Sequence, residues 1–309
     1  MASNNIIKLG TRGSKLALWQ AYFLKETLEK GGFEVEIVII HTKGDKILDR
    51  TLAKIGSKGV FTEELEAMLL SGEIDIAQHS AKDLQSDLNP ELELIAFTER
   101  EKVNDVLVSL KGTVLSDTEN ITIGTSSTRR VAMLKHFYPK IKTVEMRGNL
   151  QTRMEKLAAG SCDGILLAYA GVHRMAFDQH ISEILTIDSF TPAVGQGSIA
   201  IECAVKLAAD KKAKIRELCN HTNTEKELIA ERTFLKKLQG GCSIPVFGLA
   251  RFANDTVTLT GGIVSLDGKT LLKETFSDTN PEDVGNKLAT KILEMGGKEI
   301  LEEIKKQLS

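Results

Sequence analysis

The chain of 309 residues lacks the features that mark several large protein classes. It has only four cysteines, Cys162, Cys203, Cys219 and Cys242, and they are widely scattered. No Cys-x-x-Cys spacing occurs, so neither a zinc ribbon nor a dithiol redox pair is expected, and a reducing cytoplasm fits best. Long hydrophobic runs are missing as well. Stretches such as Ile37-Val38-Ile39-Ile40 have the length of strands and fall far short of a bilayer, so no membrane association is expected. The opening residues Met1-Ala2-Ser3-Asn4-Asn5 carry neither a basic start nor an apolar core, and no secretory signal is expected. Charge of one sign is lacking too. With 40 Lys and Arg against 42 Asp and Glu, the formal charge is −2, and no global field draws the chain to nucleic acid or an anionic membrane. An anion site must therefore be a local concentration of cations. Repeats and low-complexity segments are absent.

What is present is ordinary globular composition, 42% hydrophobic and 27% charged, at a length that exceeds one comfortable core. Two or three domains are expected. Strands are predicted over 6–9, 35–40, 74–77 and 92–97, with a helix capped by Ser14 to about 30 and another over about 62–72. The middle repeats the theme. Strands are predicted over 105–110, 121–124, 143–146 and 164–169, with one helix capped by Ser126 or Ser127 and another over about 149–160. The last ninety or so residues differ. Thr224-x-x-Glu227 reads as a capping box that opens a helix to about Gln239. Three strands follow over 246–252, 256–264 and 270–276, and then helices over 281–295 and 298–307. Helices on a sheet, twice, followed by an α+β end domain, is the expected architecture.

Polar clusters fall just after several strands: Thr11-Arg12-Gly13-Ser14, His79-Ser80-Ala81-Lys82-Asp83, Thr125-Ser126-Ser127-Thr128-Arg129-Arg130 and Arg147-Gly148-Asn149. In open α/β sheets the ligand crevice lies outside the carboxyl ends of the strands. Arg129 and Arg130 occupy the first turn of a predicted helix, where the macrodipole disfavours cations. The same helix start offers N–H groups and hydroxyls to an anion, and a bound carboxylate or phosphate reconciles the two facts. Arg12, Arg147, Arg153 and Arg174 extend this chemistry, since guanidinium matches carboxylate bidentately. Surface pairing with nearby acids is the plainer alternative. Lys54-Ile55-Gly56-Ser57-Lys58-Gly59 is a basic loop without P-loop spacing, either a lid over an anion or a solvated turn. Asp83, among cations, is expected to stay ionised, and it suits either a cationic species in a reaction or a salt bridge. His79 reads as a hydrogen-bonded structural histidine before it reads as a base.

The segment Leu238-Gln239-Gly240-Gly241-Cys242-Ser243-Ile244-Pro245 places a cysteine beside a glycine pair expected to stop the preceding helix. Read alone, it is first a turn with an incidental cysteine, and after that a reactive thiol or a nucleophile partnered by His79 in a hydrolase.

Together these residues resemble the porphobilinogen deaminase family. The resemblance is carried by Thr11-Arg12-Gly13-Ser14-Lys15-Leu16-Ala17-Leu18, Lys54 to Gly59, His79 to Asp83, Gly124 to Arg130, Arg147-Gly148-Asn149, Pro192-Ala193-Val194-Gly195-Gln196-Gly197 and Gly240-Gly241-Cys242, in the family's order along nearly the whole chain. The resemblance implies two periplasmic-binding-protein-like doubly wound α/β domains plus a smaller C-terminal α+β domain. Those units are expected over 1–98 with 198–217, over 99–197, and over 218–309. It implies a dipyrromethane cofactor joined by a thioether to Cys242, which primes the head-to-tail addition of four porphobilinogen units with loss of ammonia, and then release of hydroxymethylbilane by water. Asp83 matches the catalytic aspartate. Arg12, Arg129, Arg130, Arg147, Arg153 and Arg174 match contacts to acetate and propionate groups, with Ser14, Lys82, Thr125, Ser127 and Gln196 in support, and Lys54 and Lys58 match a mobile basic loop. A monomer that hands its product to uroporphyrinogen-III synthase is also implied. Two departures stand out. Leu84-Gln85 replaces the usual Val-Pro, which is expected to loosen the Asp83 loop, and Ala81 replaces a larger apolar residue. A two-lobed anion-binding module without catalysis is the competing expectation.

Overall fold

A computed structural model of the chain describes residues 5–42, 62–116, 120–241 and 243–308. Its strands form three sheets. The first contains β1 (Ile6–Arg12), β2 (Glu34–Ile40), β3 (Ile76–Ser80), β4 (Leu92–Phe97) and β10 (Ile199–Ala204), in the order β2-β1-β3-β10-β4. The second contains β5 (Asp105–Val108), β6 (Thr122–Gly124), β7 (Lys142–Val144), β8 (Gly164–Ala168) and β9 (Ile181–Ile184), in the order β7-β6-β8-β5-β9. The two orders share one plan. Three strands run parallel, and the fourth, antiparallel to its neighbours, arrives by a crossing from the other sheet. Each lobe thus lends the other an inner strand, fourth of five in its sheet.

Both sheets are covered on two faces, as alternating side chains require. In the first, Leu9, Ile76 and Ile201 face α1 (Lys15–Lys30) and α6 (Ala209–Cys219), while Ala77 and Ala204 face α2 (Glu63–Ser71). In the second, Leu107 and Leu166 face α3 (Thr128–Phe137), while Val106, Val108, Ile165 and Leu167 face α4 (Leu150–Ala158) and α5 (Tyr169–Arg174). The third sheet is the antiparallel meander β11 (Val246–Ala253), β12 (Thr256–Val264) and β13 (Leu271–Asp278). It is backed by α7 (Thr222–Lys237) and α8 (Pro281–Ile292), and α9 (Lys298–Leu308) closes the chain. Two doubly wound α/β lobes and a smaller α+β unit are therefore the observed fold class. No helix among the described residues is long and apolar enough to cross a membrane.

The end unit is not a loose appendage. Its Phe247 and Val264 complete the core around Leu107 and Phe190 of the second lobe. On the other side, Leu228 of α7 packs with Ala81, Leu84 and Phe97 of the first lobe. The buried carboxylate of Glu231 joins both crossings. It takes two N–H bonds from Arg100 at 2.8 and 2.9 Å and one from the backbone of Gly195 at 2.8 Å.

Several expectations are corrected. The helix α7 begins at Thr222, capped by the His221 ring, which accepts from the Thr224 N–H at 3.3 Å. Glu227 does not close a capping box, because its carboxylate is drawn to Arg100 and to the Phe252 N–H at 3.4 and 3.1 Å. The strand expected over 74–77 lies at Ile76–Ser80. The strand expected over 143–146 ends at Val144, since the Met146 N–H is taken by the Ser126 hydroxyl at 3.1 Å instead of a ladder partner. The left-handed reversal after α7 falls on Gln239, at φ 50°, and not on Gly240. Gly240 instead packs so closely on the Leu235 side chain that a Cβ has no room. The strands β9 and β10 and the helices α5 and α6 were not among the sequence expectations.

Candidate functional site

The carboxyl ends of β1, β3 and β6, with the loop beyond β7, deliver the polar clusters to one region. Ser14 caps α1, its hydroxyl accepting from the Ala17 N–H at 3.2 Å, and so brings Arg12 to the mouth of the first lobe. After β3 a single 3₁₀ turn, Ala81–Asp83, presents Lys82 and Asp83. Arg12, Ser14, Gln20, Gln78, His79 and Asp83 line one recess, with Asp83 exposed at its edge. His79 is 5% exposed and its Nε2 lies 3.0 Å from the buried Glu202 Oε2, which bears out the structural reading of that residue.

The loop carrying Asp83 is anchored without a proline. Leu84 is buried against Phe97 and Leu228, and the Gln85 carbonyl accepts from Arg232 at 2.9 Å. Gly195, at φ +77°, runs so close that its Cβ would lie 2.8 Å from the Ala81 carbonyl carbon and the Lys82 nitrogen. The crossing that carries Gln196 is thereby laid directly against the turn that carries Asp83.

The second lobe supplies the cations. Thr125 and Ser127 spend their hydroxyls on the start of α3, accepting from the Ser127 and Arg130 N–H groups at 3.2 and 3.4 Å. Arg129 and Arg130 then point inward, not to solvent. Both are buried, and each donates to one oxygen of Asp105, at 2.7 and 2.8 Å. Arg129 also donates to the Thr191 carbonyl and Arg130 to the Leu166 carbonyl, both at 2.9 Å. The anion inferred from the sequence at this helix start is thus in the first place internal. Burial alone would raise the Asp105 carboxyl, but the two guanidiniums outweigh it and hold it well below the usual carboxylate range. Gln196 donates to the same carboxylate at 2.9 Å and accepts from Lys82 at 3.5 Å, which links the lobes.

Opposing this one acid is a crowd of cations. Burial first, and then Arg130, push the Lys82 ammonium down to about 8, against the pull of Asp83 and Asp105. Burial and Arg130 likewise push Arg153 down to about 10, with Asp83 opposing and Arg147 adding to the depression. Arg153 donates to the Gly148 carbonyl at 2.8 Å. Four guanidinium N–H positions are buried and find no acceptor among the described residues: Nε of Arg100, which lies by Glu231, and, in this cluster, Nε of Arg129, Nε of Arg130 and Nη1 of Arg147. Buried donors left in this state are costly, and those of the cluster match a ligand that brings several carboxylates. Arg174 lies nearer the gap between α1 and α5 and donates to the Gly197 carbonyl at 2.8 Å. Lys54, Lys58 and Cys242 lie outside the described residues. Of the residues flanking the last, Gly241 accepts from the Ile244 N–H at 3.0 Å and Ser243 is buried.

Sequence reasoning missed Asp105, Glu202, Glu231 and Arg100. Asp105 and Glu202 carried a signal, since each is an acid inside a fully buried apolar strand.

Comparison with known proteins gives a consistent result. Residues 7–213 match the family model described as porphobilinogen deaminase, dipyromethane cofactor binding domain. Residues 225–294 match that of the porphobilinogen deaminase C-terminal domain. The chain is 56% identical over 309 residues to a porphobilinogen deaminase of Cytophaga hutchinsonii, covering 99% of each. It is 51% identical over 305 residues to one of Desulfosudis oleivorans, covering 97% of this chain and 98% of the relative. It is 46% identical over 308 residues to one of Desulfitobacterium hafniense, covering 98% of each.

Proposed function

The chain belongs to the porphobilinogen deaminase family, and from that premise we propose how its own residues carry the reaction. Porphobilinogen units, four in each round, are joined head to tail onto a protein-held dipyrromethane with loss of ammonia, and hydroxymethylbilane is released by water. One observation carries the assignment of residues. Lys82 and Asp83 of the first lobe share an electrostatic cluster with Arg130, Arg147 and Arg153 of the second.

The cluster fits a dipyrromethane, whose rings carry acetate and propionate groups. Buried guanidinium N–H groups await acceptors, and Lys82 and Arg153 are each held below their ordinary values, first by burial and then by Arg130. When bound, the dipyrromethane supplies the nucleophilic pyrrole carbon. Cys242 holds it, Arg129, Arg130 and Arg147 take its carboxylates, and Ser14, Lys82, Thr125, Ser127 and Gln196 complete its contacts. Arg12, Arg147, Arg153 and Arg174 receive the carboxylates of incoming porphobilinogen. Asp83, the exposed acid at the edge of the recess, accepts from pyrrole N–H groups and stabilises the positive charge that develops as ammonia departs. Lys54 and Lys58 add positive charge for the substrate's carboxylates.

The sheet memberships support a division into 1–98 with 198–217, 99–197, and 218–309. The enzyme works in the cytoplasm as a monomer and passes its product to uroporphyrinogen-III synthase. A non-catalytic anion-binding module is not favoured, because family membership covers the whole chain.

Intact-protein mass spectrometry tests the assignment. The purified protein is expected to exceed its sequence mass by one dipyrromethane and to colour with Ehrlich's reagent, and Cys242→Ala to do neither. An unmodified mass in turning-over protein overturns the primer, and an adduct retained by Cys242→Ala overturns the tether.

A further inference from the structure

The sole tryptophan of the chain stands where a tryptophan has no core to fill. Trp19 is 38% exposed on α1 and stacks on Phe23, with ring centroids 5.7 Å apart and planes 4° from parallel. The guanidinium carbon of Arg174, on α5 of the other lobe, lies 5.4 Å from the Trp19 ring centroid. Next to this contact, Leu16 Cδ2 comes within 3.6 Å of the position a Cβ would take on Gly171. A helix of the first lobe therefore meets a helix of the second at this point, beside the crossing whose Gly197 carbonyl accepts from Arg174.

We propose that Trp19 is a positioning residue for substrate, acting across the gap between the lobes by seating the Arg174 guanidinium over its ring. The proposal rests on the assignment of Arg174 to the carboxylates of porphobilinogen. The chemistry is particular to arginine. A guanidinium held over an indole by cation–π attraction spends no N–H on the ring and keeps its donors for a carboxylate. One donor is fixed on Gly197, so ring and carbonyl together set the direction of the others. Phe23 holds the indole plane in turn. Burial lowers the Arg174 pKa and Glu101 opposes it, so the ring is a neutral, weakly desolvating surface for a cation already short of water.

The test is a double-mutant cycle on the holoenzyme, read by steady-state kinetics with porphobilinogen. Trp19→Leu is expected to raise KM about two- to fivefold with kcat within about twofold, and Trp19→Phe to restore most of the loss. In an Arg174→Gln background, Trp19→Leu is expected to add nothing further. Independent, multiplying effects of the two changes overturn the proposal while leaving Arg174 in its assigned role. An unchanged KM in Arg174→Gln removes that role and the proposal with it. Should Trp19→Leu fail to fold, the emission of Trp19 in Arg174→Gln gives a second reading. A spectrum shifted from wild type supports the contact, and coincident spectra refute it.

Discussion

Replacing Asp105 by asparagine probes what keeps two arginines side by side in the interior. Asp105 is fully buried, and Arg129 and Arg130 are 5% and 6% exposed. The carboxylate takes one N–H from each, at 2.7 and 2.8 Å. Asparagine preserves the volume and one acceptor oxygen but removes the charge, leaving two adjacent guanidiniums without their anion. Removing one partner of a buried pair costs about 3–5 kcal/mol. The retained acceptor places Asp105→Asn toward the lower end, about 3 kcal/mol. At roughly 2–4 °C per kcal/mol, the melting temperature is expected to fall by about 6–12 °C. The measurement is best made twice, in the Cys242→Ala background, which holds no primer, and in loaded protein. In the loaded protein the primer's carboxylates share the same guanidiniums, so the fall is expected to be smaller. A fall below about 2 °C in the Cys242→Ala background refutes Asp105 as the neutralising group. Equal falls in both backgrounds refute the sharing of these arginines between fold and ligand.

Asp83→Ala is expected to slow turnover by about 10²–10³-fold with the melting temperature nearly unchanged, because the residue is exposed and holds no core contact; product formation by Ehrlich assay checks it, and near-normal turnover ends the catalytic assignment. Lys82, pushed down to about 8, loses its proton as pH rises through that value, so kcat/KM for porphobilinogen is expected to fall above pH 8, and Lys82→Gln to lack that limb. The stability effect runs the other way. Between about 8 and the ordinary lysine value of 10.5 the unfolded chain holds a proton that the folded one has shed, so this group makes the fold more stable as pH rises through that window, which Tm against pH in wild type and Lys82→Gln will show. Glu231→Gln removes the charge that pairs with Arg100 at 0% and 4% side-chain exposure, and is expected to cost about 3 kcal/mol in denaturant unfolding; a loss under about 1 kcal/mol refutes the joint between the end unit and the crossings.

Much of this architecture was legible in the sequence because local signals and tertiary structure agreed. Ser14 and Ser127 cap the helices they were expected to cap, and Leu65 and Leu69 bury the face their spacing announces. The misses share a physical cause. Thr224 and Glu227 have capping-box spacing, but Glu227 finds a stronger partner in Arg100, distant in sequence. The strand β10 is apolar at every position but one, and that pattern alone does not tell a strand entering another lobe's sheet from any other buried segment. The cationic cluster was readable as a set of arginines after strand ends, while its counterweight was not. Asp105 precedes Arg129 by a span of chain that no local rule connects, and only the crossing of β5 into the second sheet, between β8 and β9, brings the two together.

That counterweight explains how a chain of nearly balanced charge holds a strongly cationic site. A cluster of guanidiniums with no internal acid would be self-repelling before any ligand arrived, and burial would deepen the cost. Asp105 relieves it from behind: its two oxygens engage one terminal nitrogen each of Arg129 and Arg130 and leave both Nε positions unspent. Lys82 and Arg153 receive less relief, since Asp83 opposes their depression without cancelling it. The unrelieved remainder becomes binding energy, because a polycarboxylate restores these groups toward their ordinary values and supplies acceptors to the orphaned donors. Among the described residues lining the recess Asp83 is the one acid, and that place at its edge suits the role proposed for it beside a centre that turns positive.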